Sequence, residues 1–233
     1  MSTSTLLVLP DIELVPVLEF DPSVLSPSSR QTPRASCEEA PEEWAQFWKD
    51  SLADAGIFHL KPVKPTSWFV PARDLTDLGN VHKFLNAIFA DWGGMDAVQE
   101  PDYAPLFTGG LALVANQGDV VFEPDYASDL EDLYDWRAAV DYRDEYWTSL
   151  WAGHPWLSLR FDHPWLILND PVEGVEPPDR WAVAPEDLEF AVVAAERELE
   201  IFAQRLQPVL RLMGLRKKSR ALAYHLAGLG TRD

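Results

Sequence analysis

The residues best suited to chemistry are two histidines in a duplicated His-Pro-Trp-Leu, at 154–157 and 163–166. His154 and His163 could supply imidazoles to a metal, with Asp162 or Asp170 adding a carboxylate. A structural reading is stronger. In a hairpin, Pro marks strand starts and Trp and Leu fill a sheet face, while antiparallel strands carry the two histidines to opposite ends. Ser158, His154 and Asp162 mimic a hydrolytic triad, but along a strand His154 and Ser158 lie about 13 Å apart at roughly 3.3 Å per residue, too far for direct proton transfer. No nucleophile elbow, P-loop or dinucleotide fingerprint occurs, and Gly109-Gly110 reads as a tight turn rather than a phosphate cradle. The sequence therefore predicts no catalytic residue, no metal ligand and no cofactor.

Charge is the second source of chemistry. The chain holds 38 acids against 19 Lys and Arg, a formal charge of −19 over 233 residues. Such a balance repels nucleic acid and anionic membranes and favours partners with a basic face. Residues 119 to 145 alone contain ten acids and two Arg, interleaved with Trp136 and Tyr142, and Tyr146, Trp147 and Trp151 follow. Acids around aromatics suit anchor-and-rim recognition of a protein, and Asp129, Glu131, Asp132, Asp135 and Trp136 are the expected partner-binding residues. The stretch lacks the ligand offsets of an EF-hand. From residue 211 the charge inverts: six Lys or Arg against one acid give +5, leaving −24 on residues 1 to 210. This tail, with Arg216, Lys217, Lys218 and Arg220, is expected to neutralise the protein's own acids or to pair with a second subunit.

These residues need elements to position them. With 47% hydrophobic residues, 10 Trp, 11 Phe and 6 Tyr, the chain can bury a core, unlike a disordered acidic chain. Val- and Leu-rich runs at 6–10 and 12–20 predict short strands, with their prolines suiting a sheet edge. Residues 21 to 40 carry Pro22, Pro27 and Pro33 among serines, the composition of a linker or long surface loop. Helical spacing predicts helices at 41–55, 74–92, 128–140 and 185–207. The first begins at Pro41 and stops at Gly56, the third is capped by Ser128 with Glu131 in capping-box position, and the last buries Leu188, Ala191, Val192, Ala195, Leu199, Phe202 and Leu206. Irregular strands are expected within 57–70, and hairpins at 111–115/119–122 and 154–161/163–168. The resulting fold class is α+β: an antiparallel sheet from β-hairpins flanked by helices, with a long C-terminal helix. The organisation expected is N-terminal strands and a Pro/Ser-rich linker over 1–40, an α+β domain over 41–214, and a basic tail over 215–233.

The single Cys37 rules out an internal disulfide, and no secretory signal or apolar run of membrane-spanning length is present, so a cytoplasmic location is expected. From Tyr103 to Asp170, the order of Gly109-Gly110 with an apolar strand, a second strand, Asp129-Leu130 with Trp136, and then a Trp-rich hairpin resembles the SMI1/KNR4 superfamily, also called SUKH. That resemblance implies an α+β fold and a role as an immunity protein against a bacterial toxin or as an interaction adaptor. The leading expectation is a non-enzymatic, acidic protein-binding module, an immunity-type neutraliser of a basic protein or toxin. A DNA-mimic inhibitor of a nucleic-acid-binding enzyme is the first alternative, and a metal-dependent hydrolase using His154 and His163 the second.

Overall fold

The seven apolar residues expected on one face of the last long helix are all buried, and that helix, α5 (Pro185–Leu212), runs for 28 residues. Glu186 and Asp187 occupy its first turn, where the helix dipole favours carboxylates. Pro208 sits inside the helix, which continues past it. The computed structural model describes residues 6–26, 30–116, 118–124, 128–150, 157–169 and 179–230. The fold is α+β, with antiparallel hairpin sheets flanked by helices. Its contacts divide the chain into two units, residues 1–16 with 108–198, and residues 17–107 with 199–233.

In the first unit, β1 (Leu7–Val8) lies parallel to β9 (Trp181–Val183) at the edge of a five-stranded sheet. The remaining strands, β8 (Trp165–Asn169), β7 (Leu157–Asp162) and β6 (Thr148–Leu150), follow in antiparallel order. Asp162 pairs with Trp165, so His163 and Pro164 are the two-residue turn, joined by a cis peptide bond. A second hairpin pairs β4 (Gly109–Ala115) with β5 (Asp119–Phe122) and carries a bulge between Leu113 and Val114. Every residue of β4 is buried, and the continuous apolar run explains why: neither face meets water. The strand next to β4 on its other side is β2 (Glu13–Glu19), and α4 (Asp132–Val140) packs on β4.

In the second unit, the last residues of β2 pair antiparallel with β3 (Phe69–Pro71). Three helices follow in chain order: α1 (Pro22–Leu25), α2 (Pro41–Asp54) and α3 (Leu78–Asp91). An aromatic chain fills the core. Phe20 stacks on Phe84 at 4.3 Å, and Phe107 meets Phe84 at 5.6 Å, Trp92 at 5.8 Å and Phe202 at 6.5 Å. Trp48 Nε1 donates to Phe20 O at 3.0 Å, so α2 brings both apolar area and a satisfied polar tip.

Several expectations are corrected. Ordered structure starts ahead of Pro41, because residues 14–18 of β2 are buried. Within the stretch expected as a linker or loop, residues 22–25 form α1 and the described residues from 30 on are anchored: Arg30 pairs with Asp54 at 2.7 Å and Asp50 at 3.1 Å, and Trp44 Nε1 donates to Ala35 O. The second helix starts at Leu78 rather than 74, because the Asp77 carboxylate accepts from Gly79 N at 2.7 Å and caps it. Only β3 forms within 57–71. The tail over 215–233, whose order the sequence leaves open, carries α6 (Ser219–Leu226), which buries Leu222, Ala223 and Leu226. The first copy of the duplicated motif, His154, Pro155 and Trp156, lies outside the described residues, as do Asp125, Trp151 and Asp170.

Candidate functional site

The five residues expected to bind a partner all lie on or just before α4, but they divide by burial. Asp129, Glu131 and Asp135 are half-buried, while Asp132 is 7% exposed and Trp136 0% exposed. The helix explains the division. Asp132, Leu133, Trp136 and Ala139 recur at helical spacing on the face turned to the core, and Trp136 meets the Phe122 ring at 6.4 Å. Trp136 is therefore a core residue and not a surface anchor.

The helix start also departs from the capping box. The Asp129 carboxylate accepts from Glu131 N at 2.7 Å, Glu131 is the N-cap without a side-chain cap bond, and Ser128 is buried ahead of it. Gly109 N donates to Ser128 O and Thr108 bridges Asp129, which ties this turn to β4. Asp132 consequently points into protein. Burial, first, and then the charges of Asp129 and Asp135 push its carboxyl up to about 8 from 3.8. Ser128 Oγ favours the carboxylate yet fails hydrogen-bond geometry, and it and the Asp129 backbone oppose the rise only in part. Asp132 Oδ2 and Trp136 Nε1 are both buried without a hydrogen-bond partner among the described residues.

Gly110 is the counterpart of this arrangement. Its φ is +143°, and a Cβ there would stand 2.8 Å from Asp132 Oδ2 and 2.9 Å from Pro124 Cβ. Gly110→Ala combines backbone strain with a clash against buried groups, and is expected to cost about 2–4 kcal/mol. Urea denaturation checks this, with Gly118→Ala as control: Gly118 has the same φ but nothing within 4 Å of its Cβ position.

An exposed acidic and apolar surface does exist, on the N-terminal half of α5. Phe190 is 76% and Val193 59% exposed. Glu186 and Val193 lie four before and three after Phe190, so all share one helix face. Beside them a cleft of ≈350 Å³ is lined by Val140, Asp141, Arg143, Glu186, Glu189 and Val193, among others. The cleft's cations are engaged: Arg143 Nη1 donates to Val140 O at 2.6 Å and stands over the Phe161 ring, and Arg137 pairs with Glu196 at 2.7 Å. Sequence reasoning missed Phe190 and Val193. Their signal was present, since neither falls among the apolar positions of α5's buried stripe, and two large apolar residues off such a stripe are informative.

Of the residues in the metal alternative, only His163 and Asp162 lie among the described residues. His163 is exposed at the hairpin turn with its ring 6.1 Å from Phe161. Among the described residues, no three His, Cys, Asp or Glu side chains gather where a metal could be held, and no helix is long and apolar enough to cross a membrane. No family model matches the chain, and no curated protein or solved structure matches it.

Proposed function

We propose that this protein is a non-enzymatic acidic module that binds a protein with a basic surface, in the manner of an immunity-type neutraliser. The observation that carries this reading is the α5 face, where Phe190 and Val193 stand in solvent near Glu186 and Glu189, and Val193 and both acids line the cleft. Exposed large apolar groups rimmed by charge are the pattern of a docking surface. The chain's −19 charge supplies long-range attraction for a basic partner, and the apolar pair supplies contact area after encounter. The likeness of residues 103–170 to the SMI1/KNR4 superfamily supports the same reading. Asp129, Glu131 and Asp135 remain as half-exposed acids that contribute to the field, with Asp132 and Trp136 holding the helix that carries Asp135 and follows the other two.

The test uses the basic partner captured from the host lysate at low salt. Glu186→Lys with Glu189→Lys should lower the association rate at least tenfold at about 50 mM salt and flatten its salt dependence. Phe190→Ala should act chiefly on the dissociation rate. Reversal at Asp129, Glu131 and Asp135 should lower the association rate by a smaller factor. Rates unchanged by both sets of reversals would sink the assignment.

A further inference from the structure

The charge inversion at residue 211 has a spatial consequence in the second unit. The turn after α5 gathers the tail's cations at an open groove of ≈560 Å³, lined by Met95, Gln99, Met213, Leu215, Arg216 and Lys217 together with Gly214 and Lys218. The cations are not equivalent. Lys218 Nζ is committed to Glu100 Oε1 at 2.8 Å and to the Gln99 carbonyl, Arg211 Nε donates to Ser219 Oγ, and Arg220 stands over Tyr224 at 5.8 Å. Arg216 and Lys217 are exposed, and among the described residues neither side chain has an ion-pair partner. Two adjacent cations without an ion-pair partner among the described residues therefore border a recess whose lining includes Met95 and Met213, whose flexible thioethers adapt to an inserted side chain.

The chemistry this groove asks for is an apolar side chain flanked by carboxylates. The chain carries that on α5: Glu186, Glu189 and Phe190 occupy one side of the helix within a single turn, with Phe190 76% exposed. We propose that the groove docks the acidic α5 face of a second copy of this chain, Phe190 entering between Met95 and Met213 while Glu186 and Glu189 face Arg216 and Lys217. The acidic half of this contact rests on the functional reading above. Groove and face are different surfaces, so the contact is heterologous and leads from copy to copy, closing into a ring or extending according to the rotation it imposes. It is small and electrostatic, hence weak, salt-sensitive and displaceable. A basic partner that takes the α5 face competes with it directly, so self-association covers Phe190 until the partner arrives.

Sedimentation velocity on the full chain tests this at about 50 and 500 mM salt. Expected are concentration-dependent assembly at low salt and at least tenfold weaker assembly at high salt. Arg216→Ala/Lys217→Ala and Glu189→Ala/Phe190→Ala should each be monomeric, because each removes one half of the contact. Mixed in equal amounts they should form a 1:1 dimer, joining the intact face of one to the intact groove of the other. All the changes are at exposed positions, and unchanged thermal unfolding verifies that both variants fold. A wild-type chain that stays monomeric at low salt overturns the proposal, as does assembly that survives either variant or a mixture that does not pair. The two readings fail separately. A monomeric wild type that still loses its basic partner on Glu186→Lys/Glu189→Lys overturns self-association alone; assembly that complements as described, beside partner rates unmoved by that reversal, overturns only the functional reading.

Discussion

Trp136→Ala is expected to destabilise the protein by about 3–5 kcal/mol, the range for truncating a fully buried large aromatic side chain. The residue is 0% exposed and packs edge-on to Phe122, while Leu130, Leu133 and Ala139 around it on the chain are buried too. Truncation removes apolar contact and leaves a cavity that α4 and β4 cannot both close. Trp136→Phe is the informative companion. It keeps a ring in place and deletes an indole N–H that has no acceptor among the described residues, so its cost should be only about 1–2 kcal/mol. Urea denaturation of the two variants gives both values. A surface anchor would behave differently: its alanine variant would stay within about 0.5 kcal/mol of the parent and lose partner binding instead. That outcome would overturn the placement of Trp136 in the core.

Why the sequence misplaced Trp136 is a matter of what periodicity records. In the stretch 119–145, aromatic and acidic residues alternate closely, and composition alone suggests a recognition surface. The spacing Leu133, Trp136, Val140 favours a buried stripe, and packing on β4 makes burial win, because a tryptophan withdrawn from water gains more than an exposed one. Asp132 was beyond reach for another reason. Helical spacing puts it on the face of Trp136, four residues on, but its surroundings come from Gly110 and Pro124, which no local pattern links to it. Elements with strong internal period were legible: α5 with all seven inward residues, α2 from Pro41 to the positive φ at Gly56, and the 109–122 hairpin. Pairings across long separations were not. The parallel match of Leu7 with Trp181 depends on a tertiary context that neither short strand encodes. The α5 face was legible in principle, since Phe190 and Val193 are large apolar residues off the helix's buried stripe.

Asp132→Asn should change how stability depends on pH more than any other single substitution. The unfolded chain releases the Asp132 proton near 3.8, whereas the folded protein holds it to about 8. Between those values the unfolded state binds fewer protons, so folding loses stability as pH rises, by at most roughly 1.4 kcal/mol per unit. The contribution is fully present below about pH 4 and is lost as pH climbs through the folded value. Asparagine matches the neutral carboxyl in size and carries no charge, so the variant should lack this slope. At pH 4.5 the two proteins should be close in stability; at pH 8 the asparagine variant should be more stable by several kcal/mol, less whatever the carboxylate recovers from the N-terminus of α4. Denaturation midpoints from pH 4.5 to 9 test this, and the difference between the curves isolates Asp132 from the repulsion among the other acids, which both chains share. Curves that run parallel would mean that Asp132 is ionised in the folded state across the range. The Asp132–Gly110 contact would then have to accommodate a charge, and relief of repulsion from Asp129 and Asp135 would become the larger effect of the substitution.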